Sequence, residues 1–134
     1  MIFRTLEDMA ETEREVHAPT FVSRRMLLGK DGMGFSFHDT LLYGGMETRI
    51  WYKHHLEAVY CIEGTGEIES LEDGKIYGIR PGTMYALDKH DRHILRAIQD
   101  GLCLHATPDR SGSPRRRRDI PAHGCRSEGL KMAY

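Results

Sequence analysis

Cysteine is scarce: only Cys61, Cys103 and Cys125 occur among 134 residues, and no two of them form a CxxC pair. An odd, widely spaced set argues against a disulfide framework and against a structural zinc site. Long hydrophobic runs are missing too, and no apolar stretch approaches the ~20 residues that a membrane-crossing helix needs. The opening Met1-Ile2-Phe3-Arg4-Thr5-Leu6-Glu7-Asp8 lacks the basic and then apolar layout of a secretory leader, so the expected location is the cytoplasm, with no membrane partner. Neither sign of charge dominates, since 19 basic and 20 acidic side chains leave a net charge of −1. That balance hides an asymmetry. Residues 1–105 carry 12 basic and 17 acidic side chains, whereas residues 106–134 carry 7 and 3.

Helical periodicity is also in short supply. It is confined to residues 5–13, where Thr5 is a suitable cap and Asp8 lies in the first turn, favourable to the helix dipole. What fills the rest of the chain is short strand-like runs, at 20–28, 35–43, 47–53, 57–62, 66–70, 75–79, 83–87, 93–98 and 102–105. They are rich in Ile, Val, Tyr, Phe and Leu, and several alternate apolar with polar residues. Asp31-Gly32, Gly44-Gly45, Gly64-Thr65-Gly66, Asp73-Gly74 and Pro81-Gly82 punctuate them and read as turns. Many short strands at close spacing in 134 residues predict one all-β domain, a barrel or jelly roll, over residues 1–105. Residues 106–134 differ in kind. The stretch Arg110-Ser-Gly-Ser-Pro-Arg-Arg-Arg-Arg118 has no apolar period and its like charges repel, so a poorly ordered basic tail is expected. Four arginines attract phosphate, but no aromatic residue lies beside them to stack a base, and no nucleic-acid partner is expected.

Two of the strand segments carry an unusual load of polar residues: Tyr52-Lys-His-His-Leu-Glu-Ala-Val-Tyr60 and Met84-Tyr-Ala-Leu-Asp-Lys-His-Asp-Arg-His93. A small barrel fills its interior with apolar side chains, and polar groups facing inward are costly unless they are paired or bind something. By strand alternation Tyr85 and Leu87 share one face, as do His55 and Glu57. Glu57, Tyr85 and His93 come from different strands, and a barrel can bring a carboxylate, a phenol and an imidazole together. Such an O/O/N set suits iron or another borderline divalent ion better than a thiolate-seeking one. His54, His90 and His105 read as ordinary surface or edge residues, and Cys61, after the apolar Val59-Tyr60, as a small core residue.

These segments resemble the two cupin motifs. The first reads Gly44-x5-Ile50-x-Tyr52-x4-Glu57-x6-Gly64, with only the Glu kept of the usual ligands, and the second reads Gly74-x5-Arg80-Pro81-Gly82-x2-Tyr85, with tyrosine in place of histidine. The departures are similar to those of the ectoine synthases. Tyr52-Lys-His-His-Leu-Glu-Ala-Val-Tyr-Cys-Ile-Glu-Gly64, Arg80-Pro-Gly-Thr-Met-Tyr-Ala-Leu-Asp-Lys-His-Asp-Arg-His93, Asp31-Gly-Met-Gly-Phe-Ser-Phe-His38 and the opening eight residues all fit that family, from residue 1 to about Cys103. The resemblance implies a single-domain cupin that closes N4-acetyl-L-2,4-diaminobutyrate into ectoine, a compatible solute made under osmotic stress, with loss of water. It also implies ferrous iron (Fe2+) held by Glu57, Tyr85 and His93, a homodimer, and a substrate pocket that includes Phe21, Arg25, Thr40, Tyr52, His55 and Leu87. Phe21 stands where the family often has tryptophan. Tyr52 and His55 are the two candidates for the catalytic base. The competing readings are another metal-dependent cupin enzyme and a cupin that binds without catalysing.

After Cys103 the resemblance ends, and the pocket-closing Phe, Glu and His of the family have no counterpart. One explanation is a shifted reading frame. Coded as AGT-CCA-CGA-CGA-CGA-CGG-GAC-ATA-CCC, the segment Ser113 to Pro121 yields Val-His-Asp-Asp-Asp-Gly-Thr-Tyr one base later, similar to the family's usual ending. The nucleotide sequence tests this, and incompatible codons end the idea.

Overall fold

The computed structural model describes residues 1–109; of the tail expected over 106–134, residues 106–109 belong to the last strand, and the rest lies outside the described residues. Eight strands follow in order: β1 (Glu15–His17), β2 (Phe21–Leu27), β3 (Phe37–Leu42), β4 (Glu47–Ile50), β5 (Leu56–Ser70), β6 (Ile76–Ile79), β7 (Met84–Leu87) and β8 (His93–Asp109). They join antiparallel in the order β1-β2-β3-β8-β5-β6, with β4 also on β8 and β7 also on β5. The architecture is the all-β one that the short alternating runs predict.

The organising feature is the pair of long strands. β5 and β8 stay partnered from Leu56–Asp109 to Ser70–His93. The first half of β5 borders β7 and its second half borders β6, while the first half of β8 borders β4 and its second half borders β3. The two strands thereby belong to two smaller sheets at once. Where they pass from one to the other, their register slips between Cys61 and Glu63 and between Gly64 and Gly66.

This corrects two expectations. Gly64-Thr65-Gly66 is not a chain reversal but a bulged crossing within one continuous strand, so the runs 57–62 and 66–70 are a single element, as are 93–98 and 102–105. The glycine serves a close approach: Gly64 has φ +85°, and a Cβ there would collide with the carbonyl oxygen of Gly101. The N-terminal helix expected over residues 5–13 shortens to one 3-10 turn at Glu7–Met9. Asp8 Oδ2 accepts from Thr5 N at 2.6 Å, Met9 is buried, and Glu11 turns left-handed at φ 57°, which ends any helix there. Arg4 is held at Asp31 (2.9 Å) and at the Met26 carbonyl (2.7 Å), fixing the direction of the segment that leads into this turn.

Alternation sorts the side chains into rungs across the inner face. Phe21, Leu42 and Leu102 form an apolar floor, followed by Ser23, Thr40, Leu104 and Cys61, then by Arg25, His38, Ala106, Val59 and Tyr85. The second sheet contributes Thr48, Ile50, Ile68, Ile79, Leu95 and Ala97 to the same buried interior. Cys61 is buried in the core, as its position after Val59-Tyr60 suggests. The outer face is charged: Arg96 reaches Glu47, Glu67 and Glu69 at 2.6, 3.2 and 2.6 Å. Among the described residues no helix is long and apolar enough to cross a membrane.

Candidate active site

The rungs change character along the barrel. At the floor they are wholly apolar. One rung up, Thr40 Oγ1 donates to Ser23 Oγ at 3.0 Å, so two buried hydroxyls satisfy each other. At the next rung Arg25 stands directly across from His38. His38 is fully buried, and that burial, with the charges of Arg25 and His55 nearby, pushes its imidazole pKa down to about 3. His38 is thus a neutral group facing the interior.

All nine residues singled out from the sequence lie on this inner side. Phe21 and Thr40 are on the lower rungs, Arg25 above them, and Leu87 pairs across from Glu57 on the β5–β7 ladder. Glu57 is buried at 3% exposure, so its carboxylate lies in the interior and not on the surface. Tyr85 pairs with Val59, which makes Glu57 and Tyr85 diagonal neighbours on one face. The Tyr85 hydroxyl is fully buried and meets no hydrogen-bond partner among the described residues. Burial, and next the Glu57 charge, push its phenol well above its ordinary value. His93 opens β8, opposite Ile50 and Ser70. Its Nδ1 donates to the Asp91 carbonyl at 3.0 Å, which leaves the Nε2 lone pair for another partner. Desolvation lowers its pKa, favouring the neutral ring that such a role needs.

Tyr52 connects these groups. It follows β4, is buried, and sets its ring 4.5 Å from that of His55 and 6.4 Å from that of His93. Polar chemistry therefore runs along one side of the interior from Arg25 through His38, His55 and Tyr52 to His93, with Glu57 and Tyr85 on the neighbouring ladder. Among the described residues no group of three His, Cys, Asp or Glu gathers as a metal site, and the set read from the sequence draws its third donor from a tyrosine. His54, His90 and His105 keep out of the interior: His54 and His90 are exposed, and His105 sits on the outer face against Asp39 at 3.4 Å.

His38 and Ser23 were not singled out from the sequence. Alternation could have found both, because His38 lies two residues before Thr40 and Ser23 lies midway between Phe21 and Arg25.

Burying a neutral histidine has a cost that shows with pH. The unfolded chain protonates it near pH 6.5, whereas the folded chain resists down to about 3. Between those values the unfolded state binds more protons, so stability is fully present above the upper value and falls as the solution is acidified. The slope from this one residue reaches at most about 1.4 kcal/mol per pH unit, and His93 acts with the same sign. His38→Asn is expected to flatten the fall in urea midpoint between pH 7 and pH 4.5. An unchanged acid dependence would show that His38 is not buried as described.

Comparison with known proteins gives these residues a context. A profile of the ectoine synthase family matches residues 1–109. The chain is 59% identical over 102 residues to the L-ectoine synthase of Desulfatibacillum aliphaticivorans, covering 75% of this chain and 78% of that one. The crystal structure of ectoine synthase from P. lautus superposes with a TM-score of 0.77 at 51% identity, covering 81% of this chain and 78% of that one. A cupin domain from an Enterobacter cloacae transcriptional regulator shares the fold alone, with a TM-score of 0.59 at 17% identity over 72% of this chain and 99% of that domain. The chain belongs to the ectoine synthase family.

Proposed function

We propose that this chain is an ectoine-forming lyase that closes N4-acetyl-L-2,4-diaminobutyrate into a cyclic amidine with loss of water. Family membership supports the activity. The single observation that carries the site is Tyr85: a phenol hydroxyl sits buried beside Glu57 with no described hydrogen-bond partner. An orphaned buried hydroxyl is costly, by about 1–3 kcal/mol, unless a ligand meets it. A cation beside the Glu57 carboxylate removes that cost and reverses the pressure on the phenol's pKa.

Glu57, Tyr85 and the Nε2 of His93 fit ferrous iron as a carboxylate, phenolate and imidazole set. Iron bound there supplies Lewis acidity toward an acetamide oxygen. The chain's own residues do the rest. The Arg25 fork matches the substrate carboxylate and anchors one end of the molecule. Phe21, Leu87 and Thr40 shape the wall against which the substrate folds, bringing its α-amine to its acetamide carbon. Such positioning supplies up to roughly 7–11 kcal/mol of the barrier. The amine's nitrogen bonds to that carbon, the two protons it gives up pass through the Tyr52–His55 pair to the former carbonyl oxygen, and the carbon–oxygen bond breaks as that oxygen departs as water. His38, neutral behind Arg25, adds no second positive charge to the carboxylate end.

The residues that carry the ligand set all lie within the 109 that match the family. Purified chain, ferrous iron and the acetylated substrate test the reading directly by chromatography of ectoine. Failure to form any ectoine with iron bound would leave a binding cupin as the better description.

A homodimer and a role in osmotic protection in the cytoplasm belong to the same reading. The dimer has support on the surface: Tyr60 and Met84 are cross-strand partners facing outward, 49% and 63% exposed, with Ile62 two residues along. Apolar side chains crowded on one sheet face suit a second copy. Tyr60→Asp with Met84→Asp is expected to convert dimer to monomer in sedimentation velocity. A parent chain that sediments as a monomer at micromolar concentration counts against this part.

A further inference from the structure

We propose that His90 is a positioning residue, whose side chain ties the loop carrying Tyr52 and His55 to the loop that leads into His93. Two independent features point to it. The connection between β7 and β8 spans residues 88–92, and within it His90 adopts φ 56°, a left-handed conformation that a side chain with a Cβ rarely takes. Such strain persists only where surrounding contacts over-determine it. The contact is the second feature. His90 Nδ1 lies 2.9 Å from the Tyr52 carbonyl oxygen, 38 residues away in sequence. A carbonyl only accepts, so Nδ1 carries the proton and donates.

The two loops it joins are the ones that carry or lead into the candidate site residues. Residues 51–55, between β4 and β5, hold Tyr52 and His55. Residues 88–92 run directly into His93, whose own Nδ1 is fixed by the Asp91 carbonyl. His90 is itself exposed, so packing does not explain its conformation. The backbone turn around it is closed by Asp91 Oδ2 accepting from Lys89 N at 3.1 Å. The bond fixes the peptide plane that follows Tyr52, whose ring centre lies 4.5 Å from that of His55 and 6.4 Å from that of His93, and so restrains the backbone that carries that ring.

This rests on the ectoine-forming reading, but the chain contains a reporter that does not. Trp51 is its single tryptophan. It precedes Tyr52, is 48% exposed, and has the Lys53 ammonium 4.0 Å and the Arg92 guanidinium 5.6 Å from its ring centre. Arg92 belongs to the other loop, so Trp51 fluorescence reads how the two loops meet.

The test uses the iron-loaded full-length chain and two variants. His90→Gly keeps the left-handed backbone and removes the donor, while His90→Asn tolerates the same backbone and keeps a shorter donor. His90→Gly is expected to retain iron, to show a changed emission and greater acrylamide quenching of Trp51, and to lose about 10- to 100-fold in kcat, the scale of a misplaced reacting group. His90→Asn is expected to recover most of both. Unchanged Trp51 quenching in His90→Gly overturns the proposal, as does a changed quenching with full kcat. Equal impairment of the two variants overturns the donor's role. Should the parent chain form no ectoine, the functional reading fails, and the Trp51 response of the two variants still decides whether His90 joins the loops.

Discussion

Glu57→Ala is expected to strip the protein of iron and abolish ectoine formation together. Glu57 is the one carboxylate in the proposed ligand set, and it is buried where few waters can replace it. Without it, a divalent cation faces only a phenol and a neutral imidazole. That phenol has its pKa raised by burial first and by Glu57 second. Removing the carboxylate lifts the smaller influence and leaves the larger one, so the phenol stays protonated and is a poor ligand. Iron content by elemental analysis should fall from near one per chain to background, and kcat by at least about a hundred- to a thousandfold, the range associated with loss of one stabiliser of developing charge. Glu57→Asp keeps the charge but shortens the arm and should retain part of the iron. An alanine variant that keeps full iron and full rate would falsify the ligand assignment. A variant that loses iron but still forms ectoine at the parent rate would separate the family activity from this metal site.

The second large effect is on folding. Gly64→Ala places a methyl group against the Gly101 carbonyl oxygen and demands φ +85° of a residue with a Cβ. Neither demand can be relieved locally. The strand is held on β8 by register partners on both sides of the crossing, Cys61 with Leu104 and Gly66 with Ala97. Gly101 has its own constraint, since a Cβ there would come within 2.7 Å of the Leu42 carbonyl oxygen, so the opposing strand cannot retreat. Left-handed strain and an unrelieved clash together are expected to cost about 3 kcal/mol or more, a large part of the stability of a domain this size. Urea denaturation followed by Trp51 emission measures it. Thr65→Ala, one residue along, should cost far less, and equal effects at the two positions would mean that the crossing is not built as described.

Much of this was legible in the residues. The run expected over 20–28 became β2 at Phe21–Leu27, and 83–87 became β7 at Met84–Leu87, because alternating apolar residues between turn residues define both edges and faces. The same alternation put Glu57 and Tyr85 on an inner face. It failed where a residue's role depends on a partner far away in sequence. Gly64-Thr65-Gly66 has the composition of a reversal, and only the approach of Gly101 makes it a bulge in a continuous strand. His38 is a different kind of miss: it lies two residues before Thr40 on the same inner face, so alternation reaches it once Thr40 is placed there. His90 read as surface decoration because neither a left-handed backbone nor a bond to residue 52 leaves a mark in local composition. The short N-terminal helix was over-extended for the same reason: the anchoring of Arg4 at Asp31 is a contact of 27 residues' separation.

The shared pair of long strands also bears on how the chain reaches this state. The ladder joins residues 23 apart at Ser70–His93 but 53 apart at Leu56–Asp109. Closing the shorter loop is entropically cheaper, so zipping should begin near His93 and travel outward. Glu57 lies at the far end, one residue from where the zip finishes. A nascent or refolding chain would therefore seat His93 early and Glu57 late, and the proposed iron site would be complete only with the final rungs.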